Sequence, residues 1–294
     1  MTLSRELQDP RSPLRVWLAT SLPGLATAMR PAWRAALLPA TLTVPAPVGH
    51  PAVVLGHAIN ERIVWEHSPL AYGHPPAVRG ARVLTSMGAT RTFIDQLVIE
   101  AASKPTGDPL RTARTACILG LVDRAYRSGR VDEPWYPPLL TAKDLDEALA
   151  SIPAEWAVDV AAVANLALPQ LAHLTGHPIP GPDFTGSGLV GGADGDLILG
   201  STLVEIKAIK SPDLALRYAQ QLACYALLDT DDEYELASIA ILSARFGVLV
   251  TWQLEELINE AGKLSLREAR GLLAAALQPK RSRASRPRSA TKRR

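Results

Sequence analysis

The sequence predicts an α/β fold, a small mixed β-sheet flanked by helices and preceded by a mostly helical N-terminal part. Three observations carry this expectation. Up to about residue 175, several segments repeat apolar residues every three and four positions, which is the helical period. Beyond that the texture changes to short β-type runs with a helix between them and a helix at the end. Hydrophobic residues make up 47% of the 294 and charged residues 20%, so there is apolar surface enough for one substantial core. The chain divides accordingly into a helical part over 1–178, an α/β core over 179–277 and a tail over 278–294.

Residues 1–50 are rich in Pro, Ala and Leu, with prolines at 10, 13, 23, 31, 39, 45 and 47. That spacing permits short helices only and predicts a segment wrapped on the surface. A helix is expected over 53–67, where Ile59, Ile63 and Trp65 recur at helical spacing, and others over about 85–103 and 109–129. A further helix starts at Thr141, an N-cap three residues before Asp144, and another spans 154–166 and stops before Pro169. The segment IPGPDFTGSGLVGG at 179–192 is rich in turn residues. Strands follow over Gly195–Leu199 and Thr202–Ala208, then over about 236–243 and 247–253, with a last helix over 254–277.

The first two strands are joined by Gly200-Ser201, a two-residue hairpin signal. Such a turn sets the register: Leu199 faces Thr202, Ile198 faces Leu203, Leu197 faces Val204, Asp196 faces Glu205 and Asp194 faces Lys207. Side chains alternate along a strand, so Asp194, Asp196, Glu205 and Lys207 share one side while Leu197, Leu199, Val204 and Ile206 share the other. Opposed residues have β-carbons only about 4.5–5.5 Å apart, and like charges there destabilise a sheet unless something positive sits between them. A divalent cation with oxygen ligands at roughly 2.0–2.1 Å suits that position, and Mg²⁺ commonly takes just one or two carboxylates. An exposed sheet face with Asp194 paired to Lys207 is the plainer alternative.

Ser211-Pro212-Asp213 carries a helix-start pattern, with Ser as N-cap and Pro at the first helical position, for a helix running to about Leu228. Gln221 and Tyr225 lie four apart and stack on one side, with Arg217 one turn back. Ala219, Leu222, Ala223 and Ala226 form the apolar side.

The order Asp196, then Glu205-Ile206-Lys207, then Gln221-Leu222-Ala223-Cys224-Tyr225 resembles the PD-(D/E)XK nuclease superfamily. Within it the likeness is to the RecB-like branch, whose signature is an Asp, a (D/E)xK triplet and a QxxxY helix. It covers roughly residues 184–255. The resemblance implies a restriction-endonuclease-like core and a Mg²⁺- or Mn²⁺-dependent deoxyribonuclease. Asp196 and Glu205 would ligate the ion with the backbone carbonyl of Ile206, and Lys207 would orient the attacking water and stabilise charge on the phosphate. Gln221 and Tyr225 would hold the substrate backbone or the site's geometry. RecB-like enzymes often add an acidic or histidine residue from an upstream helix, a place that Glu61, His57 or Asn60 could fill. Asp194 is a further candidate beside the ion. Arg217, Lys210 and Arg245 are candidates to face nucleic-acid phosphates.

Charge distribution bears on the partner. Eight of the 31 Lys and Arg residues fall in 278–294, among them Lys280, Arg281 and Arg283, and that stretch has no acid. The rest keeps 23 basic residues against 29 acidic, a net of −6. A low-complexity basic arm of this kind, expected to be disordered, attracts phosphates without reading bases. Cys117 and Cys224 stand far apart and outside any zinc pattern, which fits a reducing cytoplasm. The N-terminal stretch lacks the basic-then-apolar layout of a signal peptide, and no apolar run reaches the roughly 18 residues of a membrane span. The expected partner is therefore DNA, with RNA as a further substrate class and no membrane. A catalytically inactive nucleic-acid-binding or scaffold subunit with the same fold is the alternative of another class.

Overall fold

Short capping side chains set many of the helix starts. The computed structural model describes residues 2–68, 75–105, 107–129 and 131–278. Its N-terminal helices are α1 (Leu3–Gln8), α2 (Pro13–Ser21), α3 (Leu25–Leu37), α4 (Ala52–His67) and α5 (Pro75–Ser86). Next come α6 (Arg91–Ala102), α7 (Pro109–Ser128), α8 (Tyr136–Thr141), α9 (Leu145–Ala150) and α10 (Ala154–Ala167). The C-terminal part adds α11 (Leu216–Leu228), α12 (Leu254–Gly262) and α13 (Leu266–Leu277). Ser12, Thr90, Asp108 and Asp144 each accept an amide N–H of the first turn of the helix they precede.

Several boundaries differ from the sequence expectation, each for a local reason. The helix expected over 85–103 is two, because the chain turns at Gly88 (φ +107°) and Thr90 restarts it. Thr141 ends α8, its hydroxyl bonding back to the Pro137 carbonyl at 3.0 Å, and Asp144 is the cap of α9. The last helix is also two, broken at Lys263 (φ +58°) and restarted by a Ser265–Glu268 capping box. Ser211 does not cap α11. Its hydroxyl accepts the Asp213 N–H in a tight turn, and the Pro212 carbonyl is taken by the Trp33 indole at 2.6 Å, so the helix starts at Leu216.

The sheet has five strands in chain order: β1 (Pro178–Pro180), β2 (Leu197–Leu199), β3 (Thr202–Lys207), β4 (Ser238–Ser243) and β5 (Val248–Gln253). The β3–β4 pairing is parallel, across α11, and the others are antiparallel, so the sheet is mixed. The edge strand β1 lay hidden in the turn-rich segment because proline bounds it at both ends, which only an edge tolerates.

Helices cover both sheet faces. Leu197, Leu199, Val204, Ile206, Ala240 and Leu242 pack with α4–α10, while Ile198, Leu203, Ile239 and Ile241 pack with α1–α3 and α11–α13. Burial on both sides explains why the strands read as nearly continuous apolar runs. The first 37 residues do not wrap the surface as expected: Leu14, Met29, Trp33 and Leu37 are fully buried in the second layer. Pro31 sits inside α3 on its exposed side, where water can satisfy the carbonyl that loses its amide partner. No helix among the described residues is long and apolar enough to cross a membrane.

Arg245 does not face a phosphate. It is 2% exposed in the bend after β4, where both terminal nitrogens bond the Asp159 carboxylate of α10 at 2.8 Å, and one also reaches the Val44 carbonyl at 3.3 Å. A guanidinium so placed ties α10 to the sheet and is spent on that contact. Asp159→Ala is expected to destabilise the protein by about 3–5 kcal/mol in urea unfolding, because it leaves a buried charge uncompensated. The paired change Asp159→Leu with Arg245→Met should cost less than the single one.

Candidate functional site

The hairpin forms in the register its turn dictates. Gly200 takes φ +58°, and Leu199 pairs with Thr202, Ile198 with Leu203 and Leu197 with Val204. The ladder stops one residue before Asp196. There a side chain substitutes for backbone: Asp196 Oδ2 accepts the Ile206 N–H at 2.7 Å, while the Asp196 carbonyl accepts from Gly181 at 3.0 Å. A strand residue directs its N–H and C=O to the same edge, so the Ile206 carbonyl faces the gap that Asp196 occupies. Asp194 does not continue the strand opposite Lys207, as expected. It bridges to Asp183, and its carboxylate is held by Arg127 of α7 at 2.5 Å.

Glu205 and Lys207 share a side of β3 and face α11. The Lys207 ammonium donates to Glu205 and, at 3.3 Å, to Gln221 Oε1, and Gln221 Nε2 donates to the Tyr225 hydroxyl at 2.8 Å. The helical spacing of Gln221 and Tyr225 is what makes this relay possible. Ala219, Leu222, Ala223 and Ala226 are fully buried on the other side of the helix, as the pattern indicated.

From the opposite layer, α4 brings Asn60, whose amide donates to Asp196 Oδ1 at 3.1 Å. The next residue, Glu61, lies about 100° further round the helix and is 1% exposed. His57 bonds Asp123 of α7 at 2.8 Å through Nδ1, and Asp123 also receives Arg127. Arg127 therefore links α7 to the start of the hairpin through Asp194. Of the upstream candidates, Asn60 is the one that touches Asp196.

Burial dominates the electrostatics. It raises the Asp196 carboxyl above its usual range against the opposing pull of Lys207 and the Ile206 amide. Burial and then the nearby Asp196 charge push Glu205 up to about 7. Burial and Asp123 raise Glu61 well above the usual carboxylate range. Burial would lower Lys207, yet Glu205 and Asp196 together hold it above its usual value, so it stays charged.

Three buried oxygens here have no hydrogen-bond donor: Glu205 Oε2, Glu61 Oε2 and Asn60 Oδ1. Acceptors stranded beside a carboxylate suit a hard cation, which is the observation that fits Mg²⁺ or Mn²⁺ to this place. Among the described residues no group of three or more His, Cys, Asp or Glu side chains gathers to hold a metal ion. Glu61 and Asp194 thus do not join Asp196 and Glu205 as a third carboxylate; Asp194 is paired with Arg127. The set left to an ion is Asp196, Glu205 and the Ile206 carbonyl. That suits Mg²⁺, which usually keeps several waters.

The cluster opens to a cleft of about 340 Å³ between α4 and the start of α11. Val53, Gly56, His57 and Asn60 line one wall, and Lys207, Ala208, Ile209 and Tyr218 the other. Lys207 lies 5.3 Å from the Tyr218 ring centroid. Arg217 is exposed, lies over the same ring at 4.8 Å and bonds its hydroxyl at 3.0 Å, and Lys210 is exposed after β3. The sequence reading missed Tyr218, Asp123 and Arg127. Tyr218 adjoins Arg217 on the recognised helix and could have been found there, whereas the α7 residues carried no local signal. Lys280, Arg281 and Arg283 lie outside the described residues. No family model, curated protein or solved structure matches this chain.

A pH dependence follows from Glu205. Its folded pKa is raised, so its favourable contribution is complete below about pH 4.5 and is lost as pH climbs through about 7. The metal-free protein is expected to lose thermal stability across that window, and added Mg²⁺ should restore more of it at pH 8 than at pH 5. Scanning calorimetry at a series of pH values with EDTA or Mg²⁺ checks this. A Mg²⁺ effect that does not vary with pH would count against Glu205 as a ligand.

Proposed function

We propose that this chain is a metal-dependent nuclease that hydrolyses phosphodiester bonds in DNA. The observation that carries the reading is the convergence of Asp196, Glu205 and Lys207 at the end of one hairpin, with Gln221 linking Lys207 to Tyr225. Asp196 and Glu205, with the Ile206 carbonyl, would hold Mg²⁺ or Mn²⁺. When bound, such an ion makes a water nucleophilic near neutral pH and offsets charge on phosphoryl oxygens.

The protein's own groups supply the rest. Lys207 is a compact positive charge fixed between Glu205 and Gln221, suited to a phosphate oxygen whose charge grows in the transition state. Gln221 and Tyr225 hold the ammonium in place. Asn60 and the Ile206 amide fix both oxygens of Asp196, so the carboxylate is oriented before substrate arrives. Lys210 and Arg217, exposed near the cleft, attract the phosphate backbone in a salt-dependent way.

A second reading is a non-catalytic nucleic-acid-binding subunit of the same fold. It is favoured by the closed Lys207–Glu205 pair and by the lack of a third metal-binding side chain among the described residues. Incubation with end-labelled single-stranded DNA, duplex DNA and RNA separates the two. We expect cleavage of DNA with Mg²⁺ or Mn²⁺ and none with EDTA, with Lys207→Ala slowed about 10²–10³-fold, the usual loss for one electrostatic stabiliser. Cleavage that persists unchanged in Lys207→Ala removes this site from the reaction.

A further inference from the structure

His50 ends the proline-rich stretch between α3 and α4, where prolines stand at 39, 45, 47 and 51. Among the described residues, hydrogen bonds tie this stretch to more distant parts of the chain at two places. At one, the Arg245 carbonyl accepts the Thr43 and Val44 amides at 3.2 and 3.3 Å, and the Arg245 guanidinium reaches the Val44 carbonyl. At the other, the Trp156 indole of α10 donates to His50 Nδ1 at 2.8 Å. Between them Val48 is 97% exposed and Gly49 turns the chain at φ +80°. Just beyond His50, α4 begins at Pro51 with no side chain capping it. Its first turns bring Val53 and Gly56 to the cleft wall.

An indole N–H can only donate, so Nδ1 is the accepting nitrogen of His50 and the ring proton sits on Nε2. A charged imidazole has donors on both nitrogens and no acceptor, and cannot keep this bond. The groups around the ring do not make good the loss. Glu155 of α10 lies 4.0 Å from Nε2, yet its side chain is 55% exposed, where an ion pair contributes little. Glu133, beyond the Trp135 ring that packs on Trp156, is taken by Trp135 and Arg124, and Asp159 is taken by Arg245. Trp156 is 4% exposed, so its N–H would be left without a partner away from water.

We propose that His50 and Trp156 form an acid-sensitive latch on the start of α4. While His50 is neutral the latch is shut, and residues 45–51 and the first turn of α4 are fixed against α10. Protonation opens it and loosens the cleft wall that carries Val53 and Gly56. Val44 stays on Arg245, so the released segment pivots about residues 43–44. No residue of the hairpin takes part, and the latch operates whatever the cleft holds.

The test is hydrogen exchange by mass spectrometry on the full chain at about pH 7.5 and about pH 5, the span in which histidine changes charge. Rates are corrected for the intrinsic pH dependence of exchange. In the wild-type protein the amides of 45–56 should lose about tenfold in protection on acidification, the factor that goes with one hydrogen bond. Those of β4 should lose none. His50→Asn keeps a neutral acceptor where Nδ1 was, and Trp156→Phe removes the donor but keeps a ring; each should abolish the fall. Every protein is compared with itself at the higher pH, so a general loss of stability does not imitate the result. Should Trp156→Phe not fold, the wild type and His50→Asn decide. No fall in the wild type, or a fall of the same size in either folded variant, overturns the latch.

Discussion

Everything at the candidate site depends on the two-residue turn at Gly200-Ser201. Its geometry needs a left-handed residue first, and Gly200 supplies φ +58°. Crowding makes the same demand, because a β-carbon at Gly200 would lie 2.3 Å from the Thr175 carbonyl oxygen. One slip of register would send Glu205 and Lys207 into the α4–α10 layer and bring Val204 and Ile206 round to α11. The hydrophobic alternation and the turn therefore enforce one arrangement between them, and the charged residues follow the apolar ones into place.

Bringing those charges together inside the protein has an electrostatic cost. Asp196, Glu205 and Glu61 are all held above the usual carboxylate range, chiefly by burial. Lys207 and Arg127 draw them down without offsetting that burial, and three nearby oxygens are left without donors. A fold selected for stability alone would remove such groups or match each charge with its opposite, as Arg245 is matched by both carboxylate oxygens of Asp159. The contrast within one molecule is informative: the buried ion pair at the bend is closed, whereas the cluster at the hairpin is short of positive charge. That deficit is what supports reading the cluster as a place for a cation.

The hairpin register and the neighbouring of Gln221 and Tyr225 on α11 were legible in the sequence because both are set by local rules, a turn in one case and helical spacing in the other. The mixed sheet between helices was legible too, from where the periodicity changes. Contacts closed over long separations were not. Asn60 meets Asp196 from 136 residues away, Arg127 meets Asp194 across 67, and Arg245 meets Asp159 across 86. Nothing in the neighbourhood of Arg245 distinguished a structural guanidinium from a phosphate-binding one. The start of α11 was misplaced for a similar reason, since the Pro212 carbonyl is claimed by Trp33, 179 residues earlier.

The helical half is therefore part of the site and not an attachment to it. Its decisive contact is the crossing of α4 and α7, where Gly120 lets the two backbones approach so closely that any side chain would collide with Ala58. At that distance Asp123 reaches His57, and Arg127, one turn on, spans from Asp123 to Asp194. The crossing fixes the rotation of α4 about its axis, and that rotation decides which residues meet the hairpin. Asn60 then points to Asp196, Glu61 is buried next to it, and Gly56 faces the open cleft. A small rotation of α4 would exchange these places without altering the hairpin at all. The hairpin thus supplies the charged groups, and the packing of α7 on α4 determines how they are presented.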